Sequence, residues 1–316
     1  MTDHDDDLYE AATRYHVQGE TMDAIARTLG TSRSTVSRLL SRAREEGIVR
    51  ISVAPRQGAQ SELARALAEP FGIAVHLVAV GASARPAARL SRVARHAAAV
   101  LADAVADHAT IGVGWGVTLT EIAHHVEARP LVGATLVPLM GSANPRDPDS
   151  PHVGVLLQTL GEAFDARVVQ FPVPAFFDYA ETRDAMWRER SVRYVLDLRA
   201  RLDVAVFGVG SLRASIPSHV YTAGFLDERE VAELDAAGVV GDVCTVLLRE
   251  DGSYADVEVN RRSTGLLPPD LARIPRRLCV VADPLRAPVL VGALRAGCVT
   301  DLVCDDVTAR AVADRL

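Results

Sequence analysis

Lysine is absent from this chain of 316 residues; all 34 basic side chains are arginine. High-GC coding bias accounts for the skew, but it has a chemical consequence: no side-chain amine can form a Schiff base. Aromatic residues make up only 5 % of the chain. The four cysteines, Cys244, Cys279, Cys298 and Cys304, stand far apart with no His or Cys at metal-ligand spacing, so buried free thiols are expected and a zinc site is not. No apolar run approaches the roughly 18 residues that span a bilayer. Asp3, Asp5, Asp6 and Asp7 give the N-terminus the opposite charge to a secretory leader. A cytoplasmic protein with no membrane partner is expected, and the net charge of −7 argues against a general polyanion binder. What is present, 49 % apolar and 24 % charged residues, is ordinary for a globular protein, and the length suits a small domain followed by a larger one.

The charge is not evenly spread. Between Arg27 and Arg50 six arginines (27, 33, 38, 42, 44 and 50) face only Glu45 and Glu46. Leu8, Ala11, Ala12 and Tyr15 recur at helical spacing, and Gly19 ends that segment. Thr21 can cap a second helix with Asp23 in its first turn and Met22, Ile25, Ala26 and Leu29 as its stripe, and Gly30 then breaks it. Ser32 can cap a third, with Val36, Leu39, Leu40 and Ala43 at i, i+3, i+4 and i+7. At about 100° per residue, Ser34, Arg38 and Ser41 fall opposite that stripe. Ser37 and Arg33 flank this face on one side, Thr35 and Arg42 on the other. Short hydroxyl donors and an arginine for base edges, with further arginines for phosphates, are what a recognition helix needs in a major groove. The alternating run 48–53 reads as a wing strand, and a solvated helical hairpin is the alternative.

Ala54-Pro55-Arg56-Gln57-Gly58 reads as a linker. Beyond it, strand candidates at 74–80, 110–113, 135–138, 167–171, 204–207, 279–282 and 302–304 alternate with helical patterns, which argues for a mostly parallel sheet covered by helices. An antiparallel hairpin is expected from 243–249 and 254–259 around Asp251-Gly252. Ligands in such sheets sit beyond the carboxyl ends of the strands. "IGVGWGVTL" (111–119) enters a helix there, with backbone N–H groups near Gly114, Gly116 and Thr118 able to converge on an anion. "PLMGS" (138–142), with Gly141 and Ser142, and "FGVGS" (207–211), with Gly210, are similar turns. Asp242 of the glycine-containing loop "VVGDV" (239–243) is placed to accept from ligand hydroxyls, and Arg286 follows another strand. The glycines at 112, 114 and 116 do not have the G-x-G-x-x-G spacing of a dinucleotide site.

The arrangement resembles the SorC/DeoR-type sugar-binding transcriptional regulators of bacteria. The resemblance covers nearly the whole chain from about residue 8 and is carried by "IARTLGTSRSTVSRLLSRAREEGIVRI", "GVGWGVTL", "GVGS", "GDVC" and "GALRAGCVTDLVCDDVTARAV". It implies an N-terminal helix-turn-helix and a Rossmann-like effector domain related to sugar-phosphate isomerases and deaminases but serving as a sensor, in a dimer or tetramer. By position it gives Gly116, Val117 and Thr118 to an effector phosphate and Asp242 to its hydroxyls. Many relatives read Ala-Gly-Gly-x-x-Lys where this chain has Val281-Ala282-Asp283-Pro284-Leu285-Arg286. Arg286 can clamp a phosphate bidentately, while Asp283 and Pro284 add charge and stiffness, so phosphorylated and unphosphorylated effectors both stay open.

The expected protein is thus an α/β, ligand-responsive regulator of carbohydrate metabolism rather than an enzyme, with no cofactor or metal. A winged helix-turn-helix is expected over 1–53, a linker over 54–60 and an effector and oligomerisation domain over 61–316. Ser32, Arg33, Ser34, Thr35, Ser37, Arg38, Arg42 and Arg44 are its candidate DNA contacts, on a (pseudo)palindromic duplex operator. Gly114, Trp115, Gly116, Val117, Thr118, Gly141, Ser142, Gly210, Asp242 and Arg286 are its candidate contacts to a sugar, polyol or phosphosugar. Trp115 could stack on a ring or simply fill a core. His124 and His125 read as surface or packing residues, His152 and His219 as loop residues within reach of a ligand, and Arg261 and Arg262 as effector or subunit contacts. The rival reading, an isomerase or deaminase with a regulatory head, would need a base such as Asp242, Glu258 or Asp283.

Overall fold

The computed structural model of the chain describes residues 3–49, 59–81, 83–142, 153–211 and 213–316. It divides into two compact units, Met1–Pro55 and Arg56–Leu316.

In the first unit, α1 (Asp3–His16), α2 (Met22–Thr28) and α3 (Arg33–Glu45) close over one small core. Leu8, Ala11, Ile25, Ala26, Val36, Leu40 and Ala43 are all buried there, the set the helical spacing singled out. Thr21 caps α2 by accepting from the Ala24 N–H at 3.3 Å, and Ser32 caps α3 by accepting from the Thr35 N–H at 3.2 Å. Between them Gly30 takes φ +61°, the left-handed conformation that lets the Thr31 N–H reach back to the Ala26 carbonyl at 2.9 Å. The expected wing lies largely outside the described residues, as does most of the expected linker.

The second unit holds ten strands: β1 (Ala74–Val78), β2 (Thr110–Val113), β3 (Thr135–Pro138), β4 (Arg167–Val168), β5 (Val204–Phe207), β6 (Val209–Gly210), β7 (Val239–Val243), β8 (Val246–Arg249), β9 (Arg276–Val281) and β10 (Asp301–Asp305). Seven form a parallel sheet in the order β1-β10-β9-β5-β2-β3-β4. From β2 the chain moves outward through β3 and β4, then returns to the other side of β2 as β5. The direction reverses between β2 and β5, and such a switch point opens a crevice at the carboxyl ends of those strands. Helices α4 (Ala59–Phe71), α5 (Pro86–Ala104) and α6 (Val117–Ala123) follow this order, and α5 buries Leu90, Val93, Ala94, Ala97 and Leu101. A charged tie joins α5 to the end of β10: Arg89, buried, donates to Asp305 Oδ1 at 2.7 Å. Asp305 also caps the helix Asp306–Ala313 by accepting from Val307, Thr308 and the Thr308 hydroxyl.

Gly208 alone separates β5 from β6, so the chain leaves the large sheet and enters a three-stranded antiparallel one, β6-β7-β8. Here the structure corrects two expectations. The segment 239–243 is a strand rather than a loop, and the hairpin is β7–β8, with Val243 opposite Val246 and Cys244-Thr245 as its two-residue turn. Both turn residues have positive φ, +48° and +66°, as a type I′ turn demands, although neither is the usual glycine or asparagine. The turn is held from outside. The Thr245 N–H donates to Asp242 Oδ2 at 3.0 Å, and the Thr245 and Ser263 hydroxyls meet at 3.0 Å. Residues 254–259 form no strand, because the far side of β8 is occupied by one amide: Asn260 accepts from the Leu247 N–H at 2.7 Å and donates to its carbonyl at 2.8 Å. Among the described residues no helix is long and apolar enough to cross a membrane.

Candidate functional site

A cavity of about 510 Å³ opens at the β2/β5 switch point. The segment after β2 (Gly114 to Leu119), the β5–β6 passage (Phe207 to Gly210), the loop and helix at 217–220, and Asp242, Cys244 and Arg286 form its walls. Eight of the ten predicted effector residues therefore meet in one place. Gly141 and Ser142 do not line it; only Met140 of that turn does. Gly141 serves from behind, since its carbonyl accepts from Trp115 Nε1 at 3.0 Å and its N–H donates to the Thr264 hydroxyl at 3.0 Å. Ser142 is tied by its N–H to the Val173 carbonyl at 2.9 Å. Trp115, 8 % exposed and 6.0 Å from the Phe225 ring, is a core wall of the cavity whose one donor is already used.

Gly116 has φ +125°, open only to glycine without strain, and it turns the chain into α6. The N–H groups of Val117, Thr118 and Leu119 at the start of that helix are the ones with no carbonyl four residues back inside it. Val117, Thr118 and Leu119 line the cavity, as do Gly208 and Gly210, which add no side chain to it. A Cβ at Gly210 would collide with Asp242 Oδ1.

Asp242 is the polar centre. It is 4 % exposed; Oδ2 accepts from Thr245, and Oδ1 has no hydrogen-bond partner. Burial pushes its carboxyl up to about 6, against the opposing pull of the Thr245 N–H, the Tyr221 hydroxyl and the Arg286 guanidinium. The buried Tyr221 hydroxyl, which does not reach full hydrogen-bonding geometry, faces the same carboxyl; burial, the Asp242 charge and its interaction with that carboxyl raise its pKa well above the ordinary phenol value. An unpaired buried polar atom costs about 1–3 kcal/mol, and Asp242 Oδ1, on a residue that lines the cavity, is one that a ligand hydroxyl would satisfy.

Arg286 lines the cavity, but two of its donors are engaged: Nη1 to the Val209 carbonyl and Nη2 to the Ile216 carbonyl at 2.9 Å. Asp283, expected to crowd a phosphate loop, instead accepts from the Ser215 N–H at 2.6 Å, the Ser215 hydroxyl at 3.2 Å and the Leu285 N–H at 3.0 Å. Together the two residues fasten Val209, Ser215 and Ile216 to the end of β9. His219 reaches the cavity wall. His125 instead packs against Ser91 and Glu121, and His124 is exposed. His152 lies outside the described residues. Arg262 donates to the Phe177 carbonyl and pairs with Glu230, while Arg261 pairs with Glu258; none of these lines the cavity. All four cysteines are buried. Tyr221 and Ser218 escaped the sequence reading: they sit on and before a four-residue helix, His219–Thr222, too short to show periodicity.

The second candidate surface is the outer side of α3. Arg33, Ser34, Ser37, Arg38, Arg42 and Arg44 are exposed on it, and Thr35 is half-buried. The Ser32 hydroxyl is spent on its cap and on contacts to Ser34 and Thr35 at 2.8 and 2.9 Å. Arg38 rests on the Thr35 hydroxyl at 3.4 Å. Arg42 pairs with Glu46 at 2.6 Å, an exposed pair that phosphate would readily displace.

A sequence family described as "Putative sugar-binding domain" matches residues 56–313, and a "Homeodomain-like domain" matches residues 8–51. The deoxyribonucleoside regulator of Bacillus subtilis is 27 % identical over 97 % of this chain and 97 % of its own. A solved domain of "a possible sugar-binding transcriptional regulator" from Arthrobacter aurescens is 39 % identical, covers 82 % of this chain and 100 % of its own, and superposes with a TM-score of 0.75. The full-length sorbitol operon regulator SorC from Klebsiella pneumoniae, 24 % identical over 98 % of this chain and 99 % of its own, shares the fold with a TM-score of 0.73. A helix-turn-helix joined to a cavity-bearing sugar-binding domain defines a DNA-binding transcriptional regulator, not an enzyme. The chain belongs to the SorC/DeoR-type family of sugar-binding transcriptional regulators.

Proposed function

We propose that α3 reads a (pseudo)palindromic operator while the cavity at the β2/β5 switch point takes the controlling ligand, a sugar or polyol with or without a phosphate. The observation that carries this reading is Asp242: a buried carboxyl with one unpartnered oxygen in a glycine-walled cavity. Such a group accepts ligand hydroxyls, and the free N–H groups at the start of α6 suit a phosphate or a further hydroxyl. Arg38 and its hydroxyl neighbours supply base-edge donors, and Arg33, Arg42 and Arg44 supply phosphate contacts. A (pseudo)palindromic operator matches a homodimer or homotetramer, which would act in the cytoplasm, where the DNA is. The names of the relatives, regulators of deoxyribonucleoside and sorbitol genes, support a role in carbohydrate catabolism. Ligand binding would shift the balance between assemblies of different operator affinity.

The test is fluorescence anisotropy on DNA upstream of the protein's own gene and its neighbours, with a panel of sugars, polyols and their phosphates. Asp242→Asn, which removes the charge that receives the ligand hydroxyls, is expected to abolish the ligand response and leave operator binding intact. Loss of DNA binding with an unchanged ligand response would overturn the assignment of the two sites.

A further inference from the structure

A second cavity, of about 850 Å³, shares no residue with the first. Its residues precede β5 and β9, as Leu202 and Ile274 do, whereas those of the sugar cavity follow β2 and β5. Three arginines reach it: Arg183, Arg199 and Arg273. Arg273 is neutralised by Asp270 at 3.0 Å, and Arg183 touches only the exposed Asp184, at 2.9 Å.

Arg199 is the anomaly. It is 4 % exposed, and its acidic neighbour Asp270, which forms no salt bridge with it, is already paired with Arg273. Nη1 donates to the Thr264 carbonyl at 2.9 Å, Nε has no partner, and the guanidinium carbon stands 5.3 Å from the centre of the Phe171 ring. Arg183 Nε is likewise buried and unpartnered, with its guanidinium 4.6 Å from the centre of the Trp187 ring. A buried guanidinium without a counter-charge is costly unless an anion joins it. Burial pulls the Arg199 pKa down only to about 10, so it keeps its charge at neutral pH. Elsewhere in the same domain the buried Arg89 has its own carboxylate, Asp305.

The geometry points to a binding site for a small organic anion, a carboxylate or phosphate ester with an apolar body, held by Arg199 and Arg183 and packed against Trp187 and the aliphatic wall. Its charged head replaces the missing counter-ion, and its apolar part fills the volume between the helices Ala180–Met186 and Arg190–Arg199 and the segment 265–274. The inference does not depend on the identity of the sugar-cavity ligand.

Benzoate and phenyl phosphate, with benzyl alcohol as the uncharged control, are titrated into the full-length protein by calorimetry. Either anion is expected to bind, and benzyl alcohol at least about tenfold more weakly. Arg199→Gln is expected to weaken anion binding by at least about tenfold. Arg183→Gln, a change at a partly exposed side chain, is expected to weaken it severalfold with the cooperative melt retained, which keeps the test valid if Arg199→Gln fails to fold. Absence of binding by both anions would overturn the proposal, as would equal binding of the alcohol or binding indifferent to both substitutions. Dissociation of an oligomer by Arg199→Gln without any anion binding would give the cavity to a neighbouring subunit and overturn it equally.

Discussion

Asp242→Asn separates the stability of the sugar cavity from its function. A carboxyl whose pKa stands at about 6 in the folded protein, against an ordinary value of 3.8, carries its charge at a cost of about 3 kcal/mol above pH 7. Well below pH 3.8 the group is protonated in both the folded and unfolded chains and the cost is nil. Between 4 and 6 the native state alone holds the proton, so stability is lost as pH rises through that window, and above it the penalty is constant. Asparagine keeps an oxygen for the Thr245 N–H, now 3.0 Å from Oδ2, and never ionises. The substitution is therefore expected to stabilise the larger domain by up to about 3 kcal/mol at pH 8, roughly 5–10 °C in Tm for a domain of this size, and by less than about 1 kcal/mol at pH 4. Both tryptophans, Trp115 and Trp187, lie in that domain, so intrinsic fluorescence follows its melting alone. A variant less stable than the parent at pH 8, or equally stabilised at pH 4 and pH 8, would refute the assignment of a buried ionised carboxylate.

The same carboxylate must be ionised to accept two ligand hydroxyls, so ligand affinity is expected to fall by up to about tenfold per pH unit below 6, measured by calorimetry in matched buffers. A pH-independent affinity between 5 and 7 would remove Asp242 from the ligand contacts. Arg38→Ala is expected to cost about 1–3 kcal/mol on the operator and much less on random DNA in anisotropy titrations; equal losses would reduce it to a phosphate contact. Asp305→Ala strips the buried Arg89 of its partner and the helix Asp306–Ala313 of its cap, and is expected to cost about 3–5 kcal/mol in urea unfolding. A loss under about 1 kcal/mol would show that water replaces the carboxylate.

Where local rules act alone, the sequence was enough to place an element. The Val36–Leu39–Leu40–Ala43 stripe, the Ser32 cap and the Gly30 break are all enforced within a few residues, and the structure has each of them. The strands 110–113, 135–138 and 204–207 were equally plain, because strands covered on both faces read as short apolar runs between turns. The β7–β8 hairpin was not. Its turn, Cys244-Thr245, has neither glycine nor asparagine and depends on Asp242 and Ser263, the latter eighteen residues downstream. Asp251-Gly252 looked like the better hairpin, but Asn260 had taken the strand edge it needed. In the site, the glycine turns converged as their positions at strand ends suggested. Gly141 and Ser142 turned inward to Trp115 and Val173 instead, and no spacing rule could show that Arg286 and Asp283 were occupied in fastening a loop.

The proposed coupling of a DNA-reading helix to a hydroxyl-binding cavity is tested by operator footprinting in the presence and absence of the sugar or polyol that shifts the melting of the larger domain most. A protected (pseudo)palindrome whose protection changes with that ligand in the parent, but not in Asp242→Asn, is the expected result. Protection that the ligand leaves unchanged, or no protected sequence even at low salt, would contradict it.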